Sequence, residues 1–335
     1  TLLWESKGMI VCEEQGDQES PRIARCGQRI FIVAWEDSRG TDTDIYAQMF
    51  DTNGNLLWQL AGVPISTAPG DEKLAGIVTD GMGGAIIAWQ HPGESDTDVR
   101  AQRIDGEGSP LWADGGIPVC TESGDQLEAV ISNDGSGGSI IAWQDMRGSD
   151  IDLYAQRVAP DGRTIWTEGG AIVCSASRDQ VRPGIIPDDQ GGAIITWCDY
   201  RGEDADIFIQ RLNALGDASW RTDGIALCSL PGNQLLPKIT SDNTGGAIVT
   251  WQDQRETDWN IYAQRVTKGG GIRWDDSGLL ICNAPYEQLA PAIAPDGSGG
   301  AFMPWEDTRS GEIDIYAQRI DPEGNIVKDV LSKYS

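Results

Sequence analysis

The chain has 335 residues, of which 39% are hydrophobic, enough for a substantial core. Acidic residues outnumber basic ones 52 to 25, a net charge of −27, and so acidic a surface repels nucleic acid and anionic membrane, which need basic patches. No stretch approaches the roughly 20 apolar residues of a membrane span. The sequence shows no signal peptide and opens on Thr1, which is expected of a processed or excised part of a longer product.

Internal repetition governs the rest. Trp35, Trp89, Trp143, Trp197, Trp251 and Trp305 recur every 54 residues without insertion. A second tryptophan column (Trp4, Trp58, Trp112, Trp166, Trp220, Trp274) keeps the same step, as do a glutamine column from Gln48 to Gln318 and glycine columns from Gly8 to Gly278 and from Gly54 to Gly324. The third repeat serves as the pattern. Residues 129–133 form a first strand, and Asp134-Gly135-Ser136-Gly137-Gly138 a tight turn. Residues 139–144 are nearly all apolar, as a strand covered on both faces should be. After an acidic loop, 152–158 alternate as a third strand, and 171–174 form a fourth.

Four short strands per repeat predict an all-β, six-bladed β-propeller with four antiparallel strands per blade. The blades are read in order as residues 21–66, 75–120, 129–174, 183–228, 237–282, and 291–320 completed by 8–12. Residues 8–12 match the last strand of a repeat, so the N-terminal strand is expected to close the ring as a single domain over 1–335. Lys328 falls where a seventh Trp of the second column would stand. The Trp columns are expected to pack blade against blade. The Gln column is expected to satisfy backbone groups between blades.

Cys12, Cys120, Cys174, Cys228 and Cys282 share one column, whose sixth place is Ser66; Cys26 and Cys198 are extra. Equivalent positions on neighbouring blades lie too far apart to bridge, so all seven read as small buried thiols. Free thiols fit a reducing compartment or an anaerobic exterior, and the cytoplasm stays open beside a location outside the cell.

The loop after each second strand carries W-x-D-x-R and then D-x-D-I-Y. The candidate ligand-binding residues are Asp37, Arg39 and Tyr46; Asp145, Arg147 and Tyr154; Asp199, Arg201 and Phe208; Asp253, Arg255 and Tyr262; and Asp307, Arg309 and Tyr316. An arginine can stack on a ring while pairing with a carboxylate, which suits either a brace or a sugar site. The second repeat breaks the pattern, with His91, Gly93 and Arg100 at these three positions while Asp96 and Asp98 remain. Joint loss implies that the three side chains touch. The D-x-D pairs Asp42 and Asp44, Asp150 and Asp152, and Asp204 and Asp206 are candidate Ca²⁺ ligands, although their spacing is not that of a full calcium loop. No other cofactor is expected. A further polar column runs Asp17, Asp71, Asp125, Asp179, Asn233 and Glu287, beside Gln18, Glu72, Gln126, Gln180, Gln234 and Gln288, and reads as a solvated rim.

The chain lacks the Gly-His pair of WD-type repeats, the Gly order of kelch repeats and the spacing of the sialidase Asp box. Its G-G-A-I-I-A-W-x-D-x-R … D-I-Y-A-Q-R unit, seen at Gly245–Arg255 and Asn260–Arg265 with Val249-Thr250 and Asn260 as variations, resembles the uncharacterised repeats of large secreted or surface-attached bacterial proteins. That resemblance covers essentially the whole chain. It implies a propeller outside the cell and no known catalytic residue. Near-interchangeable blades favour architecture or multivalent binding over catalysis. The expected function is therefore a non-catalytic binding or scaffolding module, monomeric as a domain, with a protein or glycan partner on one propeller face. Two alternatives stand beside it: a multivalent lectin using the Asp/Arg/Tyr loops, and a glycoside-hydrolase-like enzyme with an axial site, for which the second repeat is the one candidate.

Overall fold

The computed structural model describes residues 8–327. They form strands and no helix, in six sheets of four antiparallel strands. Sheet one consists of Gln18–Arg25, Ile30–Asp37, Asp44–Asp51 and Val63–Ser66 in that order. Sheet two consists of Lys73–Thr79, Ala85–Pro92, Thr97–Ile104 and Ile117–Cys120. Sheets three to five repeat the arrangement, one strand bonded to the next. The turns follow from side chains next to glycines. Asp134 Oδ1 accepts the backbone N–H groups of Ser136 and Gly138, both at 2.8 Å, and the left-handed Gly135 and Gly137 close the loop.

Contacts divide the chain into two units, residues 1–149 with 153–172, and 150–152 with 173–335. In the first, Ile32, Ala34, Ile45 and Ala47 of sheet one share a core with Ala85, Ile87 and Trp89 of sheet two. The opposite face of the same sheet-two strand offers Ile86 and Ala88 to Ile141 and Trp143 of sheet three. In the second, Ile194, Ile207 and Ile209 pack with Val249 and Trp251, and Ile248, Ile261 and Ala263 with Met303 and Trp305. An apolar strand flanked on both faces explains why the second strands lack the usual alternation.

Three features differ from the sequence reading. First strands begin about three residues early and carry a bulge. There the chain places Ser20, Glu128, Arg182, Leu236 and Ala290 at positive φ. Sheet two has no such residue, because Leu74 pairs with Trp89 and the register shift is shorter. The Gln column works within its own sheet. Gln102 donates to Ala113 O at 2.8 Å and accepts from the N–H groups of Arg103 and Trp112, which fixes the third-to-fourth-strand turn.

The third difference concerns residues 8–12, which form no strand; sheet six counts four because its first strand lies in two pieces, Gln288–Leu289 and Ala294–Pro295. Trp4 and Lys328 lie outside the described residues. All seven cysteines are free, with Cys12 and Cys282 half-buried and the others buried.

Candidate active site

The Asp/Arg/aromatic sets are brought together in all five repeats that carry them. Asp37 opens the loop at the end of a second strand and is fully buried. Its Oδ2 accepts the Trp35 indole N–H at 2.7 Å and Arg39 Nη2 at 2.6 Å. Its Oδ1 accepts Arg39 Nε at 2.8 Å and the Arg39 backbone N–H at 3.0 Å. The guanidinium also reaches Ala61 O and Cys12 Sγ, and lies 3.9 Å over the Tyr46 ring. The same stack recurs for Arg147 on Tyr154, Arg201 on Phe208, Arg255 on Tyr262 and Arg309 on Tyr316, at 3.7 to 4.0 Å. The Arg309 guanidinium holds the Asp307 carboxyl down at about 2. In each set the bidentate pair leaves the carboxylate no free oxygen for an outside hydroxyl.

The cysteine column belongs to this assembly. Cys120, Cys174, Cys228 and Cys282 accept from the arginine of the following repeat at 3.1 to 3.4 Å. Burial pushes the Cys120 thiol up to about 11 and Cys174 to about 12, which keeps them protonated and unreactive.

The first aspartate of each Asp pair is spent on backbone. Asp42, Asp150 and Asp204 each accept an N–H from the start of the next repeat, Gly70, Arg178 and Gly232, at 2.8 Å. Asp71 and Asp179 return the favour to Thr43 and Ile151. Asp44, Asp152 and Asp206 open third strands, Asp44 opposite Asp37 and Asp206 opposite Asp199. Among the described residues no three His, Cys, Asp or Glu side chains form a group that could hold a metal ion. The rim reading fails for the inner column: Gln126, Gln180, Gln234 and Gln288 are fully buried, as is the Glu72 side chain.

In sheet two the brace is replaced by a different constellation. Glu72 takes the place of glutamine, and its Oε1 accepts Ser66 Oγ–H at 2.6 Å and the Trp89 indole N–H at 2.9 Å, and lies 3.0 Å from His91 Nδ1. Glu72 Oε2 is buried without a partner. Burial pushes this carboxyl up, against the pull of Ser66 and His91. His91 faces Asp98 directly across the ladder, and its Nδ1 lies against Glu72, so the imidazole stands next to both carboxyls. Asp98 is also raised, by burial and by Asp96, partly offset by Arg100 and His91. Gly93 removes the arginine that covers the equivalent aspartates. Those carboxylates are fully buried, whereas the His91 side chain is 13% exposed. Its Nε2 makes no hydrogen bond among the described residues. Arg100 turns to Gly115 O and leaves its own Nε buried and unpaired.

Ser66 and Glu72 are the residues that sequence reasoning passed over as a site. The signal was there: each is the single departure from its column, and both depart beside His91.

No family model matches the chain, and no curated protein does. Solved structures do. One is an ulvan lyase representing a new polysaccharide lyase family, with a TM-score of 0.57 at 12% identity over 90% of this chain and 80% of that one. Another is the polysaccharide lyase Uly1, with a TM-score of 0.53 at 7% identity over 97% and 83%. An α-L-arabinofuranosidase from Fusarium graminearum scores 0.48 at 8% identity over 91% and 93%. At these identities the likeness is one of fold. The expectation of a non-catalytic, non-enzymatic module is corrected on two grounds: both neighbours above with TM-scores over 0.5 are polysaccharide lyases, and the symmetry on which that expectation rested fails in sheet two, where a buried carboxylate, an imidazole and a second carboxyl are grouped once.

Proposed function

We propose that the chain is a glycan-cleaving enzyme of the glycoside-hydrolase-like kind, built on a six-bladed propeller and acting outside the bacterial cell. The observation that carries this reading is the Glu72–His91 contact at 3.0 Å in the one sheet that lacks the arginine cover. Trp89 can only donate, so Oε1 is an acceptor and His91 Nδ1 donates to it. That leaves Nε2 with its lone pair and without a partner among the described residues. A carboxylate-oriented imidazole of this kind is a general base. It takes a proton from water as the water oxygen bonds to the anomeric carbon. Asp98, directly across the ladder from His91, gives its proton to the leaving glycosidic oxygen as that bond breaks. A net charge of −27 favours neutral glycans over anionic ones. That the fold neighbours are polysaccharide lyases supports a polysaccharide as the substrate, and the preference for a neutral one rests on the charge alone.

Ring closure is part of the same proposal. Ile32, Ile86, Ile140, Ile194 and Ile248 are fully buried, as are Ile45, Val99, Leu153, Ile207 and Ile261; at the matching places in sheet six Phe302 is 45% and Ile315 72% exposed. On sheet one, Ile23 is exposed and Val33 and Trp35 line a cavity of about 410 Å³ with Met9–Cys12. We propose that these two faces pair as those of successive sheets do. Cys12 already accepts from Arg39 as Cys120 does from Arg147. Residues 8–12 then complete sheet six along the open edge of Asp314–Ile320.

The test is cleavage of a panel of neutral and uronate-containing polysaccharides, read as released reducing ends and as unsaturated products. The reading expects reducing ends from a neutral polymer, and a loss of roughly 10²–10⁴-fold in His91→Ala. Full activity in that variant, or none in the parent on any polymer, overturns it.

A further inference from the structure

The thirteen tryptophans include twelve that belong to the two repeat columns; the thirteenth is Trp259. It stands in the loop before the third strand of sheet five and is tied to the start of sheet six. Its N–H donates to Glu287 Oε2 and its carbonyl accepts from Gln288 N, both at 2.8 Å. Tyr286, the residue before that pair, is 63% exposed.

Tyr286 occupies a column whose other members are Gly16, Gly70, Gly124, Arg178 and Gly232, all left-handed; its own φ is +68°. A bulky aromatic there is strained, and glycine is the residue that the backbone prefers. Strain held by an exposed side chain that packs against no core points to use of that side chain.

The polar groups beside it are unspent. Asp42, Asp96, Asp150 and Asp204 each accept a backbone N–H from the next repeat at 2.8 to 2.9 Å. Asp258, their counterpart, has a carboxylate that accepts no hydrogen bond among the described residues, and the Trp259 indole N–H donates to none. An exposed aromatic ring, a free carboxylate and a free indole N–H are thus carried by residues whose backbones are joined at one loop junction of the second unit.

We infer that Trp259, Tyr286 and Asp258 form a sugar-binding subsite distinct from the sheet-two centre, which takes a neutral residue of a glycan chain. The rings cover the apolar C–H face of a sugar and Asp258 accepts its hydroxyls. A charged saccharide is repelled by Asp258 and by the acidic surface. The subsite anchors polymer, and its readout is binding, so it stands or falls apart from the cleavage proposal.

The experiment is affinity electrophoresis of the full chain through gels containing arabinan, galactomannan or β-glucan, with polygalacturonate as the anionic control. Retardation by at least one neutral polymer is expected, weakened about tenfold, or 1.4 kcal/mol, in Trp259→Ala and in Tyr286→Ala. Tyr286→Gly should weaken binding equally while raising the thermal midpoint, a combination that a purely structural tyrosine does not give. No retardation by any neutral polymer, or equal retardation of the parent and the Trp259 and Tyr286 variants, overturns the inference.

Discussion

Trp89 donates its indole N–H to Glu72 at 2.9 Å, whereas the other five tryptophans of its column donate to the aspartate two residues on. One acceptor has moved from the second strand to the loop before the first, and the histidine has taken the vacated place. The tryptophan anchor is kept while the group it anchors changes. Repetition supplies five copies of a brace, and in the second repeat the same scaffold holds the Glu72–His91 pair proposed above as a proton-transfer site.

The orientation of His91 can be read directly, because it is the single histidine of the chain. The hydrogen-bond pattern predicts that the neutral imidazole carries its proton on Nδ1. A nitrogen-15 NMR spectrum of histidine-labelled protein should show one Nδ1–H tautomer, and Glu72→Leu should release it to a mixture. A proton on Nε2 in the parent contradicts the assignment.

The five intact braces make a stability prediction. Arg147→Ala leaves the fully buried Asp145 carboxylate without its bidentate partner. Breaking such a pair costs about 3 kcal/mol or more. Arg147→Lys should recover only part of this, since an ammonium cannot match both oxygens or stack on Tyr154. Chemical denaturation measures both, and a loss within about 0.5 kcal/mol for the alanine variant, as at an ordinary surface site, contradicts the brace.

Trp143 is fully buried, and Gly170 comes close enough that an added Cβ would sit 2.8 Å from its ring. Trp143→Ala is expected to cost about 3–5 kcal/mol through the cavity it leaves. A shift in the denaturation midpoint equivalent to less than about 1 kcal/mol contradicts this packing, because it falls well below that range.

Asp206 sets a pH dependence. Burial, with Asp199 and Asp204 nearby, raises its carboxyl to about 6. The folded state therefore holds the proton more tightly than the unfolded chain, whose aspartates titrate near 4. Its contribution to stability is full below about pH 4 and is lost as pH rises through about 6. Asp206→Asn should flatten that part of the stability profile and raise the midpoint at pH 7. An unchanged profile contradicts the assignment.

Much of this was legible in the sequence. The strict period and the apolar second strands announce six four-stranded sheets. The joint departure of His91, Gly93 and Arg100 announces that the equivalent Asp, Arg and Tyr touch. The site itself was harder to see because it is assembled across a repeat boundary. Ser66 ends the last strand of sheet one and reaches Glu72, which precedes the first strand of sheet two. Reading one repeat at a time separates them. A second brace lies within single repeats, between residues 23 positions apart, too far for a motif to show. Asp80 and Arg103 pair at 2.8 Å, and four later repeats keep the pair, while Cys26 and Met49 replace both partners in the first. The first-strand bulges left no sequence mark, since serine, glutamate, arginine, leucine and alanine all occupy the left-handed position.

The most direct test of the central claim converts the second repeat to the pattern of the other five. The variant carries Ser66→Cys, Glu72→Gln, His91→Asp, Gly93→Arg and Arg100→Tyr. It should fold at least as stably as the parent, because it restores the Trp–Asp–Arg–Tyr brace. It should lose polysaccharide cleavage and keep polysaccharide binding. Loss of cleavage in a protein of undiminished stability is the predicted result. Cleavage at the parent rate would contradict the account, since the proposed base His91 and the Glu72 that orients it would both be gone.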